Sequence, residues 1–317
     1  MKNISNKMTT NVSLFLFLIF LIILFSFTSE HFLSYYNITS LLTNISYSGI
    51  AAVVLTLVMI SRGLDISIGG VIGLTTVVVA TLYNQPDPMP VWLILTIGLS
   101  TGAVVGILNG LCVTVLDMDP IITTLGAMAI TRGLAYVISD SQSILMFENT
   151  TDFISNGTVF YIPMPIILFV LTILVFAIIL HKSKFGRTIY AIGANEISAS
   201  LSGISVKPVK MALYIMSGIA ASISGIILVG QTSVGMPQHG IGTELEVITA
   251  VLLGGTALSG GKGSILGTVA GVLILGVLFN GLSISGVRYV HLQIFQGILL
   301  LVAVATYEIK SRNEVAS

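Results

Sequence analysis

From Ile166 to Leu180 the chain carries no charged residue, and comparable apolar runs return along almost its whole length. A helix crosses the hydrocarbon core of a bilayer with about 20 apolar residues, so runs of this kind fix the solvent before they fix the fold. They do not alternate apolar with polar residues, as the strands of a closed barrel would. Hydrophobic residues fill 55% of the 317 positions and charged residues 8%, a balance no water-soluble domain of this size carries without aggregating. The expectation is an all-α, polytopic transmembrane bundle. Ten crossings would use roughly 200 residues and leave too few for a separate extramembrane domain. The whole chain, 1–317, therefore reads as one transmembrane domain.

Apolar runs bounded by polar or turn-forming residues predict spans at 12–28, 44–61, 68–83, 91–114, 120–138, 163–180, 211–230, 244–259, 264–282 and 293–308. Gly63, Gly69, Gly70, Gly254 and Gly255 break or border three of them. With the amino terminus inside, the loops on the cytoplasmic side hold Lys2, Lys7, Arg62, Lys182, Lys184, Arg187, Lys207, Lys210, Lys262, Lys310 and Arg312, leaving Arg132 and Arg288 elsewhere. That bias is the one that orients spans during insertion, so both termini are expected in the cytoplasm. Basic and acidic residues balance at 13 each, which argues against nucleic acid as a partner. The single cysteine, Cys112, excludes an intrachain disulfide, and four scattered histidines offer no metal-ligand spacing.

Glycine is frequent, at 32 residues, and recurs at close spacing inside spans, as in Gly98, Gly102, Gly106 and Gly110. Small residues four apart let helix backbones approach closely in lipid. Gly106-Ile-Leu-Asn-Gly-Leu111 resembles Gly276-Val-Leu-Phe-Asn-Gly-Leu282, in spans of opposite direction, which would suit an inverted repeat. Asn109 and Asn280 within these segments either line a polar route or tie helices together.

Three segments carry the most specific information. In the longest cytoplasmic stretch, Asn195 suits an N-cap, Glu196 a first turn and Gly203 a C-terminal stop, predicting a helix over Glu196–Ser202. Ile197 and Leu201, four apart, would share one face. So short a helix must pack on something, either this protein's own membrane ends or another cytoplasmic protein. At the junction of the second and third spans, Ser61-Arg-Gly-Leu-Asp-Ile-Ser-Ile-Gly-Gly70 breaks the helical pattern. Asp65 could cap a helix from Ile66 and pair with Arg62, or the stretch with Gly63 and Ser67 could belong to a pathway. Arg132, inside the fifth span, needs a partner or a water-lined cavity. The third segment runs from Gly240 to Ser264; Glu244 and Glu246 sit near a helix N-terminus, where they complement its dipole or serve a route. Its Gly-Gly-Lys-Gly-Ser piece fails the phosphate-loop template, because Gly263 follows Lys262 and Thr256 stands where a glycine belongs.

Together, Gly63-Leu-Asp-Ile-Ser-Ile-Gly69, Phe185-Gly-Arg-Thr-Ile-Tyr-Ala-Ile-Gly193 with Asn195-Glu196 and Leu201-Ser-Gly-Ile204, and Glu244-Leu-Glu through Leu253-Gly-Gly-Thr-Ala-Leu-Ser-Gly-Gly-Lys-Gly263 resemble one family. It is the membrane subunit of bacterial ABC sugar importers of the ribose/xylose/galactose type, which also includes autoinducer-2 and, at greater distance, branched-chain amino-acid permeases. Two departures are Arg62, where sugar members often carry glycine, and Ala194, where relatives frequently do. The resemblance implies a non-enzymatic permease in the bacterial inner membrane, paired as a dimer, expected to be a homodimer, with two cytoplasmic ATPase subunits and a periplasmic sugar-binding protein. It implies that this chain binds no cofactor, with ATP and Mg on the ATPase. It makes Gly193, Asn195, Glu196, Ile197, Ala199, Leu201, Gly203 and Ile204 the coupling segment seated in that ATPase. Gly63, Asp65, Ser67, Asn109, Arg132, Glu246 and Asn280 are the candidate pathway or gating residues. External loops near Ser139–Tyr161 and Gln231–Gly242 are the expected docking face for the binding protein. An ion-coupled carrier and a non-transporting receptor are the rival readings.

Overall fold

A computed structural model describes residues 2–87, 89–146 and 152–316. In chain order its helices are α1 (Lys2–Thr28), α2 (Tyr35–Ile60), α3 (Ile68–Tyr83), α4 (Val91–Thr114), α5 (Pro120–Ile138), α6 (Asp152–Ser155), α7 (Met164–Lys182), α8 (Lys184–Ala194), α9 (Glu196–Leu201), α10 (Val206–Thr232), α11 (Thr243–Leu253), α12 (Ile265–Ile284) and α13 (Tyr289–Ala316). Two-residue strands β1 (Ile144–Leu145) and β4 (Val234–Gly235) pair antiparallel, as do β2 (Thr158–Val159) and β3 (Ile162–Pro163). Among the described residues, α2, α4, α5, α7, α10 and α12 are long and apolar enough to cross a membrane, and Val12–Thr28, Ile68–Tyr83 and Val290–Ala305 are shorter apolar stretches.

The centre of the bundle is α2 packed antiparallel on α10. Their direction is fixed by two contacts: the Ser224 hydroxyl donates to Tyr47 O at one end, and the Tyr214 hydroxyl reaches Leu64 O at the other. Helix α4 lies antiparallel on α10 through a glycine seam. A Cβ at Gly102 would sit 2.0 Å from Gly218 O, and one at Gly106 would sit 2.5 Å from Tyr214 O, so only glycine permits that approach. Helix α12 lies antiparallel on α2, with Thr56 and Thr268 hydroxyls 2.6 Å apart and Gly276 against Ile45.

These adjacencies repeat. Helix α4 packs on α10 as α12 packs on α2; α3 contacts α10, α4 and α5 as α11 contacts α2, α12 and α13. Because α2 and α10 run in opposite directions, the two sets are arranged as an inverted pair, in agreement with the similarity of Gly106–Leu111 to Gly276–Leu282. The core follows from this arrangement: the carboxyl half of α2, from Gly49 to Ile60, is buried on all sides, so its sequence is apolar without a polar stripe. Helices α4, α5 and α7 keep one apolar face exposed, as lipid-facing helices do.

The helix at the eighth predicted span is shorter than 244–259. It ends at Leu253 and measures about 16 Å, half the thickness of a hydrocarbon core. Gly255, at φ +83°, terminates it in a left-handed conformation, with Thr256 N–H donating to Val251 O and Gly255 N–H to Leu252 O. Before it, the stretch Met236–Gly242 is not a free external loop but descends along α3. Gly235 lies against Ala80 and Thr76, Gly73 against the Pro237 and His239 carbonyls, and Gly69 against Gly240 O and Glu244. Irregular backbone at that depth is accommodated because it is buried in protein.

Candidate functional site

The site begins with two short helices outside the long spans. Helix α8 is capped by Ser183, whose hydroxyl accepts from Gly186 N–H at 3.0 Å, and it buries one face: Gly186, Ile189, Ile192 and Gly193. Asn195 then ends α8 and starts α9, its Oδ1 accepting from Ser198 N–H at 2.9 Å. Helix α9 covers Glu196–Leu201, with Ser202 as its C-cap. Ile204 N–H donates to Ala199 O and Gly203 N–H to Ser200 O while Gly203 holds φ +84°, closing the helix with a Schellman motif. Glu196 pairs with Lys210 of α10, fixing the outer edge of the turn. Ala199 faces inward and is buried, whereas Ile197 and Leu201 are 73% and 85% exposed. A capped helix of about two turns thus presents two apolar side chains to solvent. Beside it lies a cleft of about 770 Å³ lined in part by Arg62, Asp117, Asn195, Lys207 and Lys210.

The three segments singled out in the sequence converge next to α9. Ile60, the last residue of α2, accepts from Gly261 N–H at 2.8 Å, and a Cβ at Gly193 would lie 1.8 Å from the same carbonyl. Gly193 is therefore a packing point of α8 rather than part of α9. The Tyr190 hydroxyl donates to Gly263 O at 2.8 Å, and burial raises its pKa above the ordinary 10.0. Arg62 spans the junction: Nε donates to Gly193 O and Nη2 to Ala194 O, both at 2.8 Å. The expected Arg62–Asp65 pair is not formed, because the guanidinium is drawn instead to the carbonyl end of α8.

Deeper in the bundle, the break between α2 and α3 holds a buried polar knot. Helix α3 starts at Ile68, where the third predicted span begins and not at Ile66, and Asp65 makes a turn with Ser67 rather than a side-chain cap. Asp65 Oδ1 accepts from Ser67 N–H at 3.0 Å and from its hydroxyl at 2.6 Å. Asn109 Nδ2 donates to Ser67 Oγ at 2.9 Å, so α4 is tied to the break. Ser217 lies beside the carboxylate, yet its Oγ and Asp65 Oδ2 have no partner of hydrogen-bond geometry among the described residues. Gly63, which would place a Cβ 3.0 Å from the Tyr214 hydroxyl, lets the chain pass close to α10.

The remaining predicted residues are spread over the bundle. Glu246 lies in the first turn of α11 beside Ser48 of α2, and Glu244 Oε1 accepts from Gly242 N–H at 3.2 Å. Asn280 exchanges two hydrogen bonds with Asn37, at 3.0 and 2.9 Å, joining α12 to α2. Arg132 in α5 is half-buried, with Nε and Nη2 lacking partners among the described residues. The residues the sequence did not single out are Tyr190, Tyr214 and Ser217, ordinary residue types whose neighbours come from distant segments. Among the described residues no group of three or more His, Cys, Asp or Glu is assembled for a metal.

The family model described as "Branched-chain amino acid transport system / permease component" matches residues 37–304. The chain is 39% identical to Ribose import permease protein RbsC of Bacillus subtilis (strain 168) over 293 residues, covering 92% of this chain and 90% of that one. It is 34% identical to L-arabinose transport system permease protein AraH of Escherichia coli (strain K12), over 90% of this chain and 87% of the relative. It is 35% identical to Autoinducer 2 import system permease protein LsrD of Escherichia coli O9:H4 (strain HS), over 81% and 79%. No solved structure matches the chain. With agreement along nearly its whole length, the chain belongs to this family of transport-system permeases, as its three motifs implied, and is a multi-pass transport subunit rather than an enzyme.

Proposed function

We propose that this chain is the membrane subunit of an ATP-driven importer that passes a monosaccharide, a pentose or hexose, from a periplasmic binding protein to the cytoplasm. In this reading it lies in the inner membrane with ten crossing segments in one domain and both termini inside. Two copies form the path, two ATPase subunits bind ATP and Mg, and the permease itself holds no cofactor. The observation that carries the reading is α9: a helix capped at both ends whose Ile197 and Leu201 face solvent at the end where basic residues cluster. Two exposed apolar side chains on a helix too short to be stable alone fit a groove in a partner protein. Closure of the ATPase on ATP would move α9, and the bundle would change from inward-facing to outward-facing so that the binding protein releases its sugar. Specificity among sugars, and between a sugar and autoinducer-2, is assigned in large part to the binding protein.

The test is co-purification. Leu201→Asp places a charge where an apolar side chain is to be desolvated, and the ATPase should be lost while the permease elutes and unfolds as the wild type does. Energised vesicles then test the path, with labelled ribose, arabinose, xylose and galactose offered in turn. Wild-type permease that never carries an ATPase, with uptake that survives blocked ATP hydrolysis, would favour the ion-coupled carrier. No movement of any substrate under any energised condition would favour the receptor.

A further inference from the structure

We infer that Arg62 is a positioning residue of the transport cycle: a latch that fastens the end of α8, and with it α9, to the broken segment between α2 and α3. The inference rests on the reading of α9 as the helix that meets the ATPase. It begins with a conflict at residue 62. Helix α2 ends in a Schellman motif, Arg62 N–H donating to Met59 O and Gly63 N–H to Val58 O. That motif puts residue 62 in the left-handed region, at φ +65°. At the ends of α9, α11 and α12 the same position is held by Gly203, Gly255 and Gly286, and at the end of α5 by Asp140. Glycine and aspartate enter this region readily; a long side chain does so with strain. The backbone bonds terminate α2 without any side chain, so the geometry of the helix end favours glycine. Only the guanidinium favours arginine.

The guanidinium is used in one place. Its Nε and Nη2 reach the last two carbonyls of α8, Gly193 O and Ala194 O, which have no helical N–H to accept. A fork of two donors on adjacent carbonyls fixes direction as well as distance. Gly260 makes room for the stem: a Cβ there would lie 2.3 Å from Arg62 Cγ. Among the described residues Arg62 makes no ion pair, so the two carbonyls are its polar partners. On one side of the latch, Ala194 is followed directly by Asn195, the cap of α9. On the other, Arg62 is followed by Gly63, Leu64 and Asp65, and Asp65 leads through Ser67 to Asn109 of α4. Beside the backbone packing of Gly193 on Ile60, Arg62 thus gives a displacement of α9 a hydrogen-bonded route to the buried knot.

The test uses the complete transporter in liposomes: permease, its ATPase and its sugar-binding protein, with sugar accumulated per ATP hydrolysed as the readout. Arg62→Gly removes the fork and relieves the backbone; Arg62→Met removes the fork and keeps both stem and strain. Both should lower the ratio by about tenfold, within the usual range of coupling between sites. Arg62→Lys, a point charge without the fork, should fall between them and the wild type. Arg62→Gly should still carry the ATPase through purification and unfold at or above the wild-type temperature. A wild-type ratio in both Arg62→Gly and Arg62→Met overturns the latch, and so does a loss confined to Arg62→Met, which would trace to strain. Retention of the ATPase by Leu201→Asp overturns the α9 reading, and the latch with it. Release by Leu201→Asp together with wild-type coupling in Arg62→Gly overturns the latch alone.

Discussion

Which glycines in this chain are replaceable is decided by what lies where a Cβ would go. Gly193 and Gly133 each lie within a helix, followed by an apolar residue. At Gly193 the added carbon would fall 1.8 Å from Ile60 O and 2.5 Å from Gly261 N, backbone atoms that cannot rotate away. At Gly133 nothing lies within 4 Å. Gly193→Ala is thus expected to destabilise the permease by about 2 kcal/mol, the cost of overpacking. Gly133→Ala should stabilise it by roughly 0.5–1 kcal/mol, since alanine restricts the unfolded chain and suits a helix interior. Thermal unfolding of the two variants in one detergent checks the opposite signs. An equal shift in the same direction would mean that helix propensity, and not the junction with α2, governs Gly193.

At the scale of the element, α9 was legible before the structure because its signals are local: Asn195 as cap, Glu196 in the first turn and Gly203 at the stop each act within six residues. The break at residues 61–67 was legible only as a break. Its neighbours are Asn109, Tyr214 and Ser217, supplied by α4 and α10, and no local pattern connects them to the break. For the same reason Asp65 was expected to cap a helix at once, whereas it turns toward Ser67 and leaves the helix to start at Ile68. The short length of α11 was obscured by the uniform hydropathy of 244–259, although Gly254-Gly255 marks its end. Local signals also predict how α9 fails. Asn195→Ala removes the bond to Ser198 N–H, a cap worth about 1 kcal/mol. Hydrogen exchange over 196–202 should quicken and ATPase affinity should drop, with global unfolding almost unmoved, because α9 buries little besides Ala199. Unaltered exchange would place the rigidity of α9 in the Glu196–Lys210 pair.

For the whole molecule, two independent features bear on how the bundle sits in the membrane. One is the clustering of Lys182, Lys184, Arg187, Lys207 and Lys210 around α8 and α9, which by the rule of insertion is the basis for the proposed cytoplasmic placement of that end. The other is the geometry: α7 ends at Lys182 beside α8 and begins at Met164, a full span away, next to the β2–β3 hairpin and its tip at Phe160 and Tyr161. Phe160 is 89% exposed and Leu201 85% exposed, at opposite ends of the bundle, so each can report its own side. In a Cys112→Ala background, Phe160→Cys should react with a membrane-impermeant thiol reagent in cells whose outer membrane alone has been opened. Leu201→Cys should react only after the inner membrane is also permeabilised, and more slowly when the ATPase is bound. Reversed labelling would invert the bundle and move α9 to the periplasm, where no ATPase could meet it. Labelling of Leu201→Cys that ignores the ATPase, with orientation as expected, would leave the topology standing and remove α9 from the interface, because a side chain seated in a partner's groove cannot stay accessible to reagent.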